Sequence, residues 1–325
     1  MKNIFICLST PIWLMFNAAI AQPSVPEYPS RPIVSILAAA PGSSSDKEAR
    51  LYFAKMSELM GQQFVMDSKP GAGGTVGSGF VAKSKPDGYT LLMVTGTFSA
   101  FGALYKDLPF DTLRDFAPIS LMSQRTSVFL VTPSFPANTF AEYIAYAASN
   151  PGKINFATPG AGSVTHLAGG WIHSATKTSV TFVHYKGAGA LTTDLVSGRV
   201  VAAPLGLLSV LPLVKAGKLR VLAIMNKQRS TLLPGVPTIA EKDIPGYDYS
   251  AWLGFSAPAG TPAAIINKLS ENFAKVAKAP DVTATMEAEG SIMVGSTPLQ
   301  FRQYIAGEIE RWQRVVQQAD IRLEE

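Results

Sequence analysis

Apolar positions in this chain switch repeatedly between short continuous runs and helical spacing. Ile33-Val34-Ser35-Ile36-Leu37 has the length and content of a buried strand. Behind it, residues 46–60 set Ala49, Tyr52, Phe53, Met56, Leu59 and Met60 on one helical face. Phe64-Val65-Met66 predicts a second strand and residues 75–83 a second helix. Tyr89 to Val94 then reads as a buried strand entered through the turn signal Pro86-Asp87-Gly88. This βαβαβ order predicts a mostly parallel sheet covered by helices.

A second run begins at Val128-Phe129-Leu130-Val131. Helices are predicted over 139–149, 165–175, 188–197 and 207–216, and strands over 154–157, 180–185, 200–203, 219–224 and 250–257. After Pro258-Ala259-Gly260-Thr261-Pro262 the pattern is helical to Ala319. Two α/β runs predict two lobes. The C-terminal helices are assigned to the first, which has the shorter run: residues 28–126 and 251–325 form one lobe, residues 127–250 the other, and the chain crosses twice between them.

The N-terminus changes the picture of where the protein works. Lys2 precedes an interrupted apolar run from Ile4 to Ile20, and Ala19-Ile20-Ala21 has the small-x-small pattern of a signal-peptidase site. The expected cut follows Ala21, which also removes the single cysteine, Cys7. The run is too broken for a membrane span, which needs about 20 apolar residues, and Gln22 offers no thiol for lipid attachment. Hydrophobic residues make up 47% of the chain and charged ones 16%, a composition for folding rather than disorder. The net charge of +5 is scattered without a Lys/Arg run. It suits anions and argues against nucleic acid as a partner.

Three loops share one design, in which a strand leads through small residues to a helix start. The first is Ala38-Ala39-Ala40-Pro41-Gly42-Ser43-Ser44-Ser45, with Ser45 and Glu48 in capping-box spacing. The second runs from Thr158 through Gly160, Gly162, Ser163, Val164 and Thr165 to His166. The third is His184-Tyr185-Lys186-Gly187-Ala188-Gly189. Unpaired N–H groups and the positive end of the dipole make such turns anion sites, and ligands of open α/β sheets sit beyond the carboxyl ends of strands. The three loops therefore predict one anion site shared between the lobes. Thr97, Phe98 and Ser99 follow another strand end and bring Phe98 to the expected cleft edge; Trp171 and Trp252 are further aromatic candidates.

Catalytic and metal patterns are missing. The three histidines, His166, His173 and His184, lack metal-ligand spacing. Ser163 directly follows Gly162, so G-x-S-x-G is incomplete. Gly77-Ser78-Gly79-Phe80-Val81-Ala82 matches a dinucleotide fingerprint, but no acidic residue stands about 20 positions on. No cofactor and no metal are expected.

Several motifs occur in order: Tyr28-Pro29-Ser30-Arg31-Pro32-Ile33, Lys69-Pro70-Gly71-Ala72-Gly73-Gly74, Pro86-Asp87-Gly88-Tyr89-Thr90-Leu91-Leu92, Asp115-Phe116-Ala117-Pro118, His166-Leu167-Ala168-Gly169, Tyr185-Lys186-Gly187, Lys215-Ala216-Gly217-Lys218-Leu219-Arg220, Val236-Pro237-Thr238 and Ala257-Pro258-Ala259-Gly260-Thr261-Pro262. Together they resemble the Bug-type solute receptors of tripartite tricarboxylate transporters. The resemblance implies a type II periplasmic-binding-protein fold, an α/β architecture of two lobes with two crossings. It also implies capture of a small organic carboxylate without chemistry, by a monomer that delivers it to a two-component membrane permease.

On that resemblance, the ligand-binding residues are Ala40, Ser43, Ser44, Thr97, Phe98, Ser99, Gly160, Gly162, Ser163, Val164, Thr165, His166, Tyr185, Lys186, Gly187 and Leu205. Two departures from the family pattern matter: Ser43 replaces a glycine, and Val201 and Leu205 stand where relatives often carry acids. They shift the expected ligand toward an aromatic acid or a longer dicarboxylate. Two other readings stay open, an exported hydrolase using Ser163 and His166, and a receptor that presents its ligand to a membrane sensor.

Overall fold

The computed structural model describes residues 28–38, 44–288, 290–319 and 321. The expected signal segment and the candidates Ala40 and Ser43 lie outside them. The first sheet is built from β1 (Ile33–Leu37), α1 (Ser44–Met60), β2 (Phe64–Ser68), α2 (Thr75–Ala82), β3 (Thr90–Thr95), α3 (Gly96–Leu104) and β4 (Phe116–Arg125). The second comprises β5 (Ser127–Val131), α4 (Phe140–Ser149), β6 (Asn155–Thr158), α5 (Val164–Ala175), β7 (Thr181–His184), α6 (Ala188–Ser197), β8 (Ala202–Gly206), α7 (Leu207–Lys215), β9 (Arg220–Ile224) and α8 (Ile239–Lys242). The chain then returns through β10 (Ala251–Pro258), α9 (Ala263–Ala277), α10 (Pro280–Ala288), β11 (Ser291–Met293) and α11 (Pro298–Ala319).

The strand orders are β11-β4-β10-β3-β1-β2 and β7-β6-β8-β5-β9. Both sheets are mixed rather than mostly parallel. β10 runs antiparallel to β3 and β4, β11 runs antiparallel to β4, and β5 runs antiparallel to β8 and β9. The reason is topological. β5 and β10 are the strands that enter a sheet from the other lobe, so no crossover helix sets their direction.

Two elements fall between Val94 and Val128, where the pattern assigns none. α3 buries Gly96, Phe98, Ser99, Ala100 and Phe101, so it has little polar face to mark a helical period. β4 is buried along most of its length and contains Pro118, so it neither alternates nor avoids proline. β11 also interrupts the stretch expected to stay helical to Ala319.

The crossings are tied together by one buried amide. Asn226 Oδ1 accepts from Ser127 N at 2.7 Å, while its Nδ2 donates to Arg125 O at 3.0 Å and Ser250 Oγ at 2.7 Å. Thr126 stands between the sheets: its N–H donates to Gly290 O and its carbonyl accepts from Leu207 N.

The assignment of all C-terminal helices to the first lobe needs correction. α11 buries Phe301, Ile305, Glu308, Trp312 and Val315 along one stripe. Phe301 and Ile305 pack with Phe98, Phe116 and Trp252 of the first lobe. Trp312 and Val315 pack with Phe129, Phe156 and Leu167 of the second. One amphipathic stripe thus serves two cores, and the change occurs at Glu308, which accepts from Trp252 Nε1 at 3.3 Å and is paired with Arg311. Burial holds the Glu308 carboxyl above its ordinary range.

Candidate functional site

The second lobe supplies a preformed turn. Gly162 sits at φ +67°, where a side chain would be strained, and this backward bend aims the start of α5 at the first lobe. Ser163 caps the helix: its Oγ accepts from His166 N at 3.2 Å and donates to Gly160 O at 2.7 Å. Thr165 Oγ1 lies 2.9 Å from the same hydroxyl.

Most of the donors expected to hold an anion are already used inside the protein. Gly162 N donates to His166 Nδ1 at 3.2 Å, Ser163 N to Gly160 O, and Gly187 N to Pro159 O. Among the described residues the N–H groups of Val164 and Thr165 are left unspent, as the first positions of a helix must be. Val164 N and Thr165 N are thus free at the helix start, whereas Gly162 N, Ser163 N and Gly187 N are not.

Histidine 166 is a support. Its Nδ1 accepts from Gly162, which puts the ring proton on Nε2. The ring is 7% exposed, packed edge-on to Phe182 and His184. Burial, with His184 as a second cause, pushes its pKa down to about 4, so the ring is neutral at pH 7. Ser163 Oγ points to a carbonyl and shares no hydrogen bond with this ring. A serine hydrolase needs that bond to activate its nucleophile.

The third loop is tied to the second through Tyr185 N to Thr158 O and Thr158 Oγ1 to His184 Nδ1 at 2.7 Å. Tyr185 turns its hydroxyl away to Asp194 Oδ2 at 2.8 Å. Lys186 is exposed.

The first lobe meets this wall through α3. Gly96 is its first residue, and a methyl built there would lie 3.5 Å from Val164 Cγ2 and 3.5 Å from Trp252 Nε1. The start of α3, which has no side-chain cap, therefore abuts the start of α5. Two positive dipole ends meet between the lobes. Ser44 opens α1, and Ser45 Oγ of the same turn accepts from Arg125 at 2.9 Å. Arg125 also pairs with the buried carboxylate of Glu48, which accepts from Tyr52 at 2.6 Å and from Ser123.

Three sequence candidates do not reach the cleft surface. Phe98 is 3% exposed and packs edge-on against Phe101 and Phe116. Ser99 is buried and gives its hydroxyl to Gly96 O. Leu205 is 4% exposed and lies in the second-lobe core with Ala203, Leu191 and Val210. Alternation along β8 explains the last result, since residues 203 and 205 share the face turned to that core. The case for an aromatic ligand built on Leu205 and an exposed Phe98 ring loses its basis. Gly96, which meets Val164, and Arg125, which meets Ser45, are not among the sequence candidates. The polar pair Gln124-Arg125 between two apolar runs was the available signal for Arg125.

The tripartite tricarboxylate transporter family receptor pattern matches residues 49–321. The chain belongs to that family. It is 35% identical to BugT of Bordetella pertussis over 310 residues, covering 94% of this chain and 95% of that protein. Among solved structures, a Rhodopseudomonas palustris protein with adipate superposes with a TM-score of 0.80 at 31% identity, covering 91% of this chain and 99% of that one. MatC from the same organism, with bound malate, gives 0.77 at 30% identity, covering 89% and 100%. The fold is thus that of these receptors, and both relatives hold small carboxylates. No helix among the described residues is long and apolar enough to cross a membrane.

Proposed function

We propose that this receptor is exported, takes up a small organic carboxylate between its lobes without chemical change, and delivers it to a two-component membrane permease. The observation that carries this reading is the junction of Gly96 and Val164, which brings the uncapped start of α3 against the free N–H groups of α5. An anion there gains charge-assisted hydrogen bonds from backbone that has no other partner. The adipate and malate of the two relatives support the carboxylate class. The internal hydrogen bonds of Ser163 and His166 favour binding over turnover.

Calorimetry with an acid and its methyl ester tests the anion site. The free acid is expected to bind and the ester to give no heat. An ester that binds as tightly as the acid would remove the anion from the account. Delivery is tested separately, by deleting the gene and measuring uptake of the acid found to bind.

A further inference from the structure

α2 has its amphipathic order reversed. Gly77, Ser78 and Gly79 are buried, while Val76 and Phe80, one helical turn apart, are 52% and 47% exposed. Close approach to the sheet requires the small residues inside: a Cβ on Gly77 would lie 2.8 Å from Lys69 O and 2.9 Å from Ala38 Cβ. The sheet continues the apolar surface past the helix. Val65 of the edge strand β2 stands opposite Val34, which packs into the same core as Val81 and Ala82 of α2. Val65 therefore shares the α2 face of the sheet, and it is 45% exposed. Three large apolar side chains are left in water on one flank of the first lobe.

Cations surround them. Lys69 Nζ stands 4.5 Å over the Phe80 ring. Phe80 also borders a groove of about 440 Å³ lined by Arg31, Lys83, Lys85, Asp87 and Thr90. The two carboxylates on this flank are already taken: Asp67 lies 3.4 Å from Lys69, and Asp87 lies 3.1 Å from Arg31. Lys83 and Lys85 have no carboxylate within salt-bridge distance among the described residues. The flank thus joins exposed apolar groups to an excess of positive charge.

We propose that this flank is a docking surface for an anionic lipid bilayer. Val76 and Phe80 enter the headgroup region, and Lys83, Lys85 and their neighbouring cations meet lipid phosphates. A protein partner fits less well. Apart from Phe80 itself, the groove is walled by charged and hydroxyl-bearing side chains, so it offers no apolar pocket to a partner's anchor residue. A bilayer needs none, because it accepts apolar side chains that stand out from a surface. The docking does not depend on which acid fills the cleft. Only its use, holding the receptor near its permease, rests on the reading above.

The test is co-sedimentation of the exported receptor with vesicles. It is expected to bind vesicles of phosphatidylethanolamine with phosphatidylglycerol and to ignore phosphatidylcholine alone. Salt at about 1 M, where the Debye length is about 3 Å, should release it. Lys83→Gln and Lys85→Gln should each weaken binding about fivefold, and Phe80→Ser about tenfold. All three side chains are exposed, so an unchanged unfolding midpoint separates lost docking from lost folding. Phe80→Trp should bind as well as the native chain, and brominated lipid should quench the new indole. No binding to the anionic vesicles, equal binding to phosphatidylcholine, or substitutions without effect would each overturn the proposal. So would uptake that falls with Phe80→Ser while vesicles bind neither form, since the flank would then dock a protein. Failure of the ester test above would leave vesicle binding untouched, so the two readings fail separately.

Discussion

The wall given by the second lobe and the wall given by the first meet at Val164 and Gly96, yet they are built from different chemistry. On the second-lobe side Gly162 N, Ser163 N and His166 N have internal partners, Val164 N and Thr165 N stand free, and the supporting histidine is neutral. On the first-lobe side a buried carboxylate, Glu48, is matched to Arg125, and a small apolar cavity opens beside α3. The second wall is held by hydrogen bonds among neutral groups, the first by an ion pair. Each can be disturbed without the other. α11 packs into the cores of both lobes.

The largest effect should come from removing that shared element. Trp312→Ala empties a fully buried site and should cost about 3–5 kcal/mol in urea unfolding. Because Trp312 sits in the second-lobe core, hydrogen exchange should rise first in β5 and α5. Faster exchange confined to β1 and β3 would mean that α11 serves the first lobe alone.

Arg125→Gln strands the Glu48 carboxylate and should destabilise by about 3 kcal/mol. Arg125 is 21% exposed at its side chain, so solvent relieves part of that cost. Carboxylate affinity should change less than stability does. An intact melting profile with lost binding would instead make Arg125 a direct ligand group.

Val164→Pro removes the free N–H group that opens α5, at a helix position where proline is tolerated. Weaker binding by about 1–3 kcal/mol, with an unchanged unfolding midpoint, is expected. Unaltered affinity would leave α5 out of the site.

A further effect, graded with pH, appears in acid and belongs to the second lobe, which holds all three histidines. Burial lowers His166 to about 4 and His173 to about 3. The unfolded chain therefore takes up protons that the folded one does not as pH falls below about 6.5. Stability present above that value should be lost at about 1.4 kcal/mol per pH unit for each of the two groups down to about pH 4. Glu308 opposes this trend, because its raised carboxyl adds stability in acid that is lost as pH rises. Urea titrations at pH 7, 6 and 5 measure the slope, and His173→Gln should reduce it.

Much of this was legible in one dimension. Continuous runs such as 33–37 and 128–131 marked buried strands, and helical spacing in 46–60 marked α1, because burial on a fixed geometry imposes those periods. Small-residue loops at strand ends located the second-lobe turn before α5, since that chemistry is local. Other features depended on neighbours. The stripe on α11 is the same sequence signal whichever core receives it, and only packing divided it at Glu308. Which N–H groups were spent was decided by His166 and Pro159, brought to the turn by the fold. Phe98 and Leu205 stood at strand ends in the sequence, but the facing elements buried both. Local sequence determined the period and the turn chemistry, because those act within a few residues; tertiary contact decided which faces and which donors remained for a ligand.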